Sequence, residues 1–404
     1  MKKKIMGLLL AASMAVSLAA CGNASDSGNA SGSAAETDAA DGEKDGEASD
    51  DSAVDGSVDA DGNPSGGAPA ALAKEDIHIG AVFNSTQQEE GFTYCFEQGF
   101  KALEAEGYEV DYAWDIAESE ECETAIESLI AQGCNVIYGL SYGFGEYMAD
   151  VAEKYPDVYF NHYSGSITGD NMATFFPKIY QSEYLCGIVA GLRTETDEIG
   201  FLGSYAIPEV IRMINAFTLG AKSVNPNAEV QVKWTGSWFD PATETAATTE
   251  LVHSGCDTII AYLDSMSALV TADELGAWCF GYGTSSIESL PDSFLTNLAF
   301  DWGPFLLENV QSIIDGTWTG SSCWIGMEDG NGLVGIGDIY NSADGTQEAV
   351  DEAAAGFLTG TLDIWQGEIL DNEGNIVVEK DETLSDADLL SMMFFVEGVN
   401  GSID

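Results

Sequence analysis

From residue 77 onward, short apolar runs alternate with longer stretches in which apolar residues recur at helical spacing. A short unbroken apolar run reads as a strand buried on both faces, and the helical period reads as an amphipathic helix packed on it. The first cycle predicts strands over 77–83, 108–113, 135–140 and 157–161, with helices over 92–106, 120–132 and 145–154. This alternation is the βαβ unit of a parallel sheet covered by helices on both faces.

The pattern then recurs at an offset of about 120 residues. Ile79-Gly80-Ala81-Val82 is matched by Ile199-Gly200-Phe201-Leu202, and Phe96-x-x-Gly99-x-Lys101 by Phe217-x-x-Gly220-x-Lys222. Val110 and Trp114 return as Val230 and Trp234, and Phe160 as Phe280. Leu129-Ile130-x-x-Gly133-Cys134 returns as Leu251-Val252-x-x-Gly255-Cys256, each followed by an apolar pair, Val136-Ile137 and Ile259-Ile260. A series of matches at one offset predicts two α/β lobes of like design, over 76–192 and 193–404, with C-terminal segments partly returning to the first lobe.

The chain before residue 76 has a different character. Lys2, Lys3 and Lys4 precede an apolar run from Ile5 to Val16, too short to span a bilayer and laid out as a secretory signal. It ends in Leu18-Ala19-Ala20-Cys21, which resembles the lipobox of bacterial lipoproteins. The expectation is a signal over 1–20, diacylglycerol on Cys21, and a protein held by that anchor to the extracytoplasmic face of the cell membrane. Residues 21–75 are rich in Gly, Ala, Ser and Asp and contain no aromatic residue. Such a segment cannot bury enough apolar surface to offset its chain entropy and is expected to be a disordered tether, with a reach of about 40 Å.

The charge balance excludes whole classes of partner. There are 68 Asp and Glu against 13 Lys and Arg, a formal net charge of −55. Residues 1–75 hold five Lys and 13 acidic residues, 5 − 13 = −8, so the folded part carries −55 + 8 = −47. A surface so short of cations cannot neutralise a run of phosphates, so nucleic-acid binding is excluded. Hydrophobic residues at 45% and aromatic residues at 10% are nonetheless those of a folded protein. Apart from Cys21, seven Cys remain without a Cys-x-x-Cys pair, and the chain has three His; no metal site and no cofactor are expected. Cys134 and Cys256, each between a Gly and an apolar run, read as small buried hydrophobes.

In open α/β sheets ligands lie beyond the carboxyl ends of the strands. The cleft is therefore expected between the loops 84–91, 114–117, 141–145 and 161–165 of one lobe and 204–209, 237–240, 264–266 and 281–286 of the other. These loops are rich in aromatic residues. Phe92, Tyr94, Tyr142, Phe144, Trp238 and Trp302 are candidates to stack on a planar ligand, against the alternative that they are core near a hinge. Asp264 and Asp301 are candidate hydrogen-bond acceptors, with capping of the following helix as the competing role. Asn84 and Ser141 open the loops after the first and third strands. Asp240 before Pro241 reads as a helix cap, and Glu209 after Pro208 sits where a helix dipole favours it. No Ser-His-Asp arrangement and no Gly-rich phosphate loop appears, so a binding protein is expected rather than an enzyme.

Several stretches carry a family resemblance. Gln181-Ser182-Glu183-Tyr184-Leu185-Cys186-Gly187, Ile207-Pro208-Glu209-Val210-Ile211-Arg212, Val224-Asn225-Pro226 and Ser237-Trp238-Phe239-Asp240-Pro241 resemble the basic membrane protein family, as do Trp302-Gly303-Pro304 and Ile369-Leu370-Asp371-Asn372-Glu373-Gly374. These are substrate-binding lipoproteins of ABC transporters for purines and purine nucleosides. The resemblance implies a type I periplasmic-binding-protein fold, two doubly wound parallel-sheet lobes joined by a hinge, and an ABC permease as partner. Nucleoside-binding members carry a carboxylate after the strand that here spans 278–280, to hold ribose hydroxyls. This chain has Gly281-Tyr282-Gly283-Thr284-Ser285 there, which favours a free purine base. A sugar or other small-solute receptor is the alternative within the class, and an enzyme acting on nucleosides the alternative outside it.

The anchor is directly testable: Cys21→Ala is expected to move the protein from the membrane to the soluble fraction of fractionated cells. Unchanged fractionation with membranes would remove the lipobox reading.

Overall fold

The expected strands and helices of the first cycle form within one or two residues of the periodicity. In the computed structural model, residues 67–87, 91–283, 291–330 and 332–403 are described; the signal, Cys21 and the tether up to residue 66 lie outside them. The chain runs β1 (His78–Val82), α1 (Gly91–Ala105), β2 (Glu109–Ala113), α2 (Glu120–Gln132), β3 (Val136–Gly139), α3 (Gly145–Lys154), β4 (Tyr159–Tyr163) and β5 (Met172–Pro177). The second cycle follows as α4 (Ile179–Arg193), β6 (Glu198–Gly203), α5 (Pro208–Val224), β7 (Glu229–Trp234), α6 (Pro241–Ser254), β8 (Thr258–Tyr262), α7 (Ser267–Glu274), β9 (Trp278–Tyr282) and β10 (Phe294–Ala299). The remainder holds α8 (Trp302–Ile314), β11 (Ser322–Ile325), β12 (Gly335–Ile336), α9 (Thr346–Leu358), β13 (Ile369–Leu370), β14 (Ile376–Val378), α10 (Asp386–Leu390) and β15 (Val399–Asn400).

Two large sheets result, in the orders β11-β5-β4-β3-β1-β2 and β12-β10-β9-β8-β6-β7-β15, beside a two-stranded pairing of β13 with β14. Every pairing in the first is parallel. In the second only β12 runs antiparallel, against β10. The repeat therefore appears as one strand order used twice: β2-β1-β3-β4-β5 corresponds to β7-β6-β8-β9-β10. It is visible at atomic level too. A methyl on Gly80 would stand 2.8 Å from Ile137 Cδ1, and one on Gly200 2.6 Å from Ile259 Cδ1, so both first strands need glycine for the neighbouring side chain to lie across them. Both following helices are punctuated alike. α2 has Ser119 as N-cap, α6 has Asp240, and each ends in a left-handed glycine, Gly133 or Gly255.

The lobes exchange a helix. After β5 of the first sheet, α4 packs on α5 of the second lobe; after β10 of the second sheet, α8 packs on α1 of the first. β11 then pairs with β5 before the chain returns to β12. The chain thus crosses between lobes at 177–179, 299–302 and 325–335. The first crossing lies at Lys178 rather than after residue 192, because the α4 sequence carries small residues for close helix contact. Gly220 sits against the carbonyl of Tyr184, and Gly187 against that of Phe217, with no room for a side chain. At the amino end the ordered lobe starts before residue 76: the Tyr159 hydroxyl donates to the Pro69 carbonyl at 2.7 Å, and Leu72 packs on the core. The seven described cysteines are free thiols, and Cys134 and Cys256 are buried. Among the described residues no helix is long and apolar enough to cross a membrane.

Gly220→Ala is expected to destabilise the protein by about 1–3 kcal/mol, because the added methyl must separate α4 from α5 or displace their backbones. Chemical denaturation should show it as a lower midpoint, while Gly335→Ala, with open space around it and no left-handed backbone, serves as the uncrowded control.

Candidate ligand-binding cleft

The carboxyl ends of the two sheets face a cavity of about 350 Å³. Its first-lobe wall comes from the loops after β1 (Asn84, Ser85, Thr86), β2 (Asp115 to Glu118), β3 (Leu140, Ser141, Tyr142) and β4 (Tyr163, Ser164), with Phe92 from α1. The second-lobe wall comes from the loops after β6 (Tyr205, Glu209), β7 (Ser237, Trp238, Phe239) and β8 (Leu263, Asp264), with Tyr262 and Tyr282 at strand ends. Four carboxyl groups line it, Asp115, Glu118, Glu209 and Asp264, and among its described lining residues there is no Lys, Arg or His. Two non-glycine residues with left-handed backbone, Asp115 (φ 59°) and Ser164 (φ 60°), are also in this wall, as strained positions at binding sites often are.

Each carboxyl group has its own environment. Ser141 Oγ and the Gly143 amide donate to Glu118, so that side chain ties the loops after β2 and β3 together. Glu209 is buried and accepts from the hydroxyls of Ser164 and Tyr262, the latter at 3.0 Å. Burial raises its pKa, opposed by Ser164, Arg212 and Tyr262. The hydroxyls of Tyr163, Tyr262 and Tyr282 are linked by hydrogen bonds, and burial holds all three phenols well above their ordinary range. They sit under Phe92, whose ring centroid is 5.0 Å from Tyr163 and 6.4 Å from Tyr282.

Asp264 bridges the lobes. It lies just beyond β8 in the second lobe, yet it accepts from the Thr93 amide at 3.2 Å, Thr93 Oγ1 at 2.6 Å and Ser85 Oγ at 3.4 Å in the first. It therefore caps the amino terminus of α1 from across the cleft, supplying an acceptor where the first amides of a helix lack partners. Beside it, Cys95 Sγ donates to the Gly283 carbonyl at 3.0 Å, a further bond between the lobes. Burial pushes the Asp264 carboxyl up to about 6, even though Thr93 and Ser85 stabilise its charge.

Of the residues expected from sequence, the structure brings Asn84, Phe92, Ser141, Tyr142, Trp238 and Asp264 together around the cavity. Four lie elsewhere. Trp302 is fully buried and stacks on Phe96 at 3.9 Å, because α8 carries it into the first-lobe core. Asp301 caps that helix through the Gly303 amide. Phe144 is buried with Val82 and Met148 behind the β3 loop. Tyr94 is two residues beyond Phe92, about 200° round the helix, and faces away from the cavity. Asp264 does not cap its own following helix; Asp240 does cap α6, through the Ala242 and Thr243 amides. Sequence reasoning missed Glu118, one residue beyond a predicted loop, and Tyr262 at a strand end, and it did not single out Tyr163 within the expected loop 161–165.

Comparison with known proteins agrees with this architecture. The family model Bmp, described as ABC transporter substrate-binding protein PnrA-like, matches residues 77–355. A purine-binding protein of Brucella abortus is 34% identical over 337 residues, 83% of this chain and 96% of that protein. A Haloferax volcanii protein, provisionally named an ABC transporter glucose-binding protein, is 33% identical over 84% of this chain and 83% of its own. The solved structure of an ABC transporter system solute-binding protein from Conexibacter woesei superposes with a TM-score of 0.59 at 20% identity, over 71% of this chain and 98% of that one.

Asp264→Ala is expected to weaken lobe closure by about 1 kcal/mol, the usual worth of a helix cap, and to increase the radius of gyration of the ligand-free protein in solution scattering. In the wild type the sign with pH follows from the raised pKa. The closed form binds the Asp264 proton more tightly than an open, hydrated form near 3.9. Closure is therefore expected to weaken as pH rises from about 4 to about 6 and to level off above. A scattering profile indifferent to pH in the wild type, or identical in the variant, would remove Asp264 as the latch.

Proposed function

The chain belongs to the Bmp family of PnrA-like ABC transporter substrate-binding proteins, and on that premise we propose that its cleft binds a purine. Members of this family are extracytoplasmic and non-enzymatic; they capture a small molecule and present it to a permease. The observation that carries the ligand reading is the composition of the cavity: Phe92 on one side, Tyr205, Trp238 and Phe239 on the other, and only carboxyl, amide and hydroxyl groups for polar recognition. Aromatic walls suit a flat ring, and carboxylates are strong acceptors for ring and exocyclic N–H groups. The purine-binding relative points the same way.

The absence of a carboxylate in Gly281 to Ser285 loses its force against a nucleoside. Asp115, Glu118 and Glu209 reach the same cavity, and any of them supplies an acceptor for ribose hydroxyls. The ligand we propose is therefore a purine base or its nucleoside, entering between hinged lobes that close over it. Retention at the membrane through a lipid on Cys21, with residues 22–66 as spacer, completes the proposal; it rests on the Leu18-Ala19-Ala20-Cys21 motif. A sugar receptor is the second reading, favoured by the name of the Haloferax relative.

Calorimetry on ligand-stripped protein with adenine, adenosine, AMP, ribose and glucose separates these readings. Adenine or adenosine is expected to bind at micromolar affinity or better, about −8 kcal/mol. AMP is expected to bind at least roughly tenfold more weakly, because its phosphate enters a cavity of four carboxyl groups with no cation. Preference for glucose or ribose would overturn the purine reading, and tight AMP binding would overturn the electrostatic argument.

A further inference from the structure

At the opposite end of the first sheet from the cleft, the strand register gathers three different donor groups. His78 opens β1 and pairs with Glu109, the first residue of β2; Asp111 is two residues further on the same face of β2. Cys134 lies between Gly133, the left-handed cap of α2, and the start of β3, the other neighbour of β1. The turn is held from both sides by Asn135, which accepts from the His78 amide at 3.0 Å and donates to the Asp76 carbonyl at 2.7 Å.

The donor atoms converge. His78 Nε2 is 3.0 Å from Asp111 Oδ2 and 3.9 Å from Glu109 Oε1, and Cys134 Sγ is 3.9 Å from Asp111 Oδ2. One donor atom each from His78, Asp111 and Cys134 lies within 4.8 Å of the other two. A second observation points to a ligand in their midst. His78 Nε2 is shielded from solvent and has no correctly directed hydrogen bond, although a carboxylate oxygen is 3.0 Å away.

From this convergence we propose that His78, Asp111 and Cys134 form a binding site for a zinc-class divalent cation, with Glu109 or water as the fourth ligand. One imidazole nitrogen, one carboxylate and one thiolate match the mixed N, O, S donor set that zinc takes in tetrahedral sites, with bonds of about 2.0–2.3 Å. All three residues lie in or beside the sheet, which fixes their backbones. The thiolate excludes the hard cations calcium and magnesium, which take oxygen ligands. On binding, the Cys134 thiol releases its proton to solvent and the sulfur forms the bond to the metal. The site joins β1, β2 and the α2–β3 turn, so occupancy stabilises the first lobe at a distance from the ligand cleft.

Cobalt titration of the metal-stripped full chain tests this directly, because a tetrahedral thiolate site gives visible d–d absorption and a sulfur-to-cobalt charge-transfer band. One Co²⁺ per chain is expected, displaced by Zn²⁺. Cys134→Ser should abolish the charge-transfer band, and His78→Ala should weaken Zn²⁺ binding by more than the roughly tenfold that loss of an outer partner costs. Cys323→Ser removes an exposed thiol elsewhere and should change nothing. Asp111→Asn keeps the side-chain shape and serves if either other variant fails to fold. The cleft carboxylates can give no thiolate band. Absence of the band, its survival in Cys134→Ser, or unchanged Zn²⁺ affinity in both His78→Ala and Asp111→Asn would overturn the site.

Discussion

The carboxylate of Asp264 joins the two lobes across the cleft through three hydrogen bonds, to Thr93 and Ser85, and the shape of the cavity depends on it. Its oxygens satisfy the start of α1, the helix that also carries Phe92 into the cavity wall. Two glycines make the approach possible. A methyl on Gly91 would stand 2.6 Å from Asp264 Oδ1, and one on Gly283 would stand 2.8 Å from the Gly91 carbonyl. Both have positive φ, so any side chain there is strained as well as crowded. The bond is well directed, and the raised pKa of Asp264 means that closure is favoured more with the carboxyl protonated than with it ionised. A contact of this kind holds lobes together without locking them, as a receptor that must open requires.

The exchange of helices supplies the complementary stiffness. α8 leaves the second sheet to stack Trp302 on Phe96 in the first lobe, and α4 leaves the first sheet to pack against α5 in the second. Neither lobe has a complete core without a segment delivered by the other. The connections concentrate into three short crossings, and bending is confined there because the packing on either side has no slack: Gly99, Gly187 and Gly220 are already in contact with neighbouring backbone or Trp302. In this structure the Asp264–Thr93 contact joins the lobes across the cleft through hydrogen bonds alone, not through continuous chain.

The periodicity and the 120-residue repeat made the sheets, the strand ends and most cleft loops legible, because buried parallel strands and capped helices leave strong local signals. Six of ten expected site residues reach the cavity. Phe144, Tyr94, Trp302 and Asp301 do not, for a common reason: sequence gives the position of a side chain along the chain, whereas the face it presents is set by packing. Trp302 follows a cleft-forming strand, but its helix belongs to the other lobe, and no local pattern encodes that exchange. The same limit hid the partner of Asp264, which is 171 residues away in sequence. Of the three tyrosines at the ends of β4, β8 and β9, Tyr163 and Tyr282 fell in expected cleft loops, but their grouping with Tyr262 was not readable, since it arises from three strands in two sheets.

The cavity has an electrostatic logic distinct from that of the acidic surface. Surface charge of one sign is screened within about 10 Å at moderate salt, so the −47 of the folded part cannot itself select a ligand at contact distance. Four carboxyl groups lining the cavity can, and they differ in their partners. Burial raises the pKa of Glu209 and Asp264; Ser164 and Tyr262 donate to Glu209, Thr93 and Ser85 to Asp264, and Ser141 and Gly143 to Glu118. A ligand that offers only acceptors leaves these groups unsatisfied and pays their desolvation without return. A ligand with several N–H or O–H donors on a flat frame satisfies them and the aromatic walls together. Selection against phosphorylated forms then needs no steric block, because adding a dianion to this cavity brings charge into a site whose described lining has none of the opposite sign.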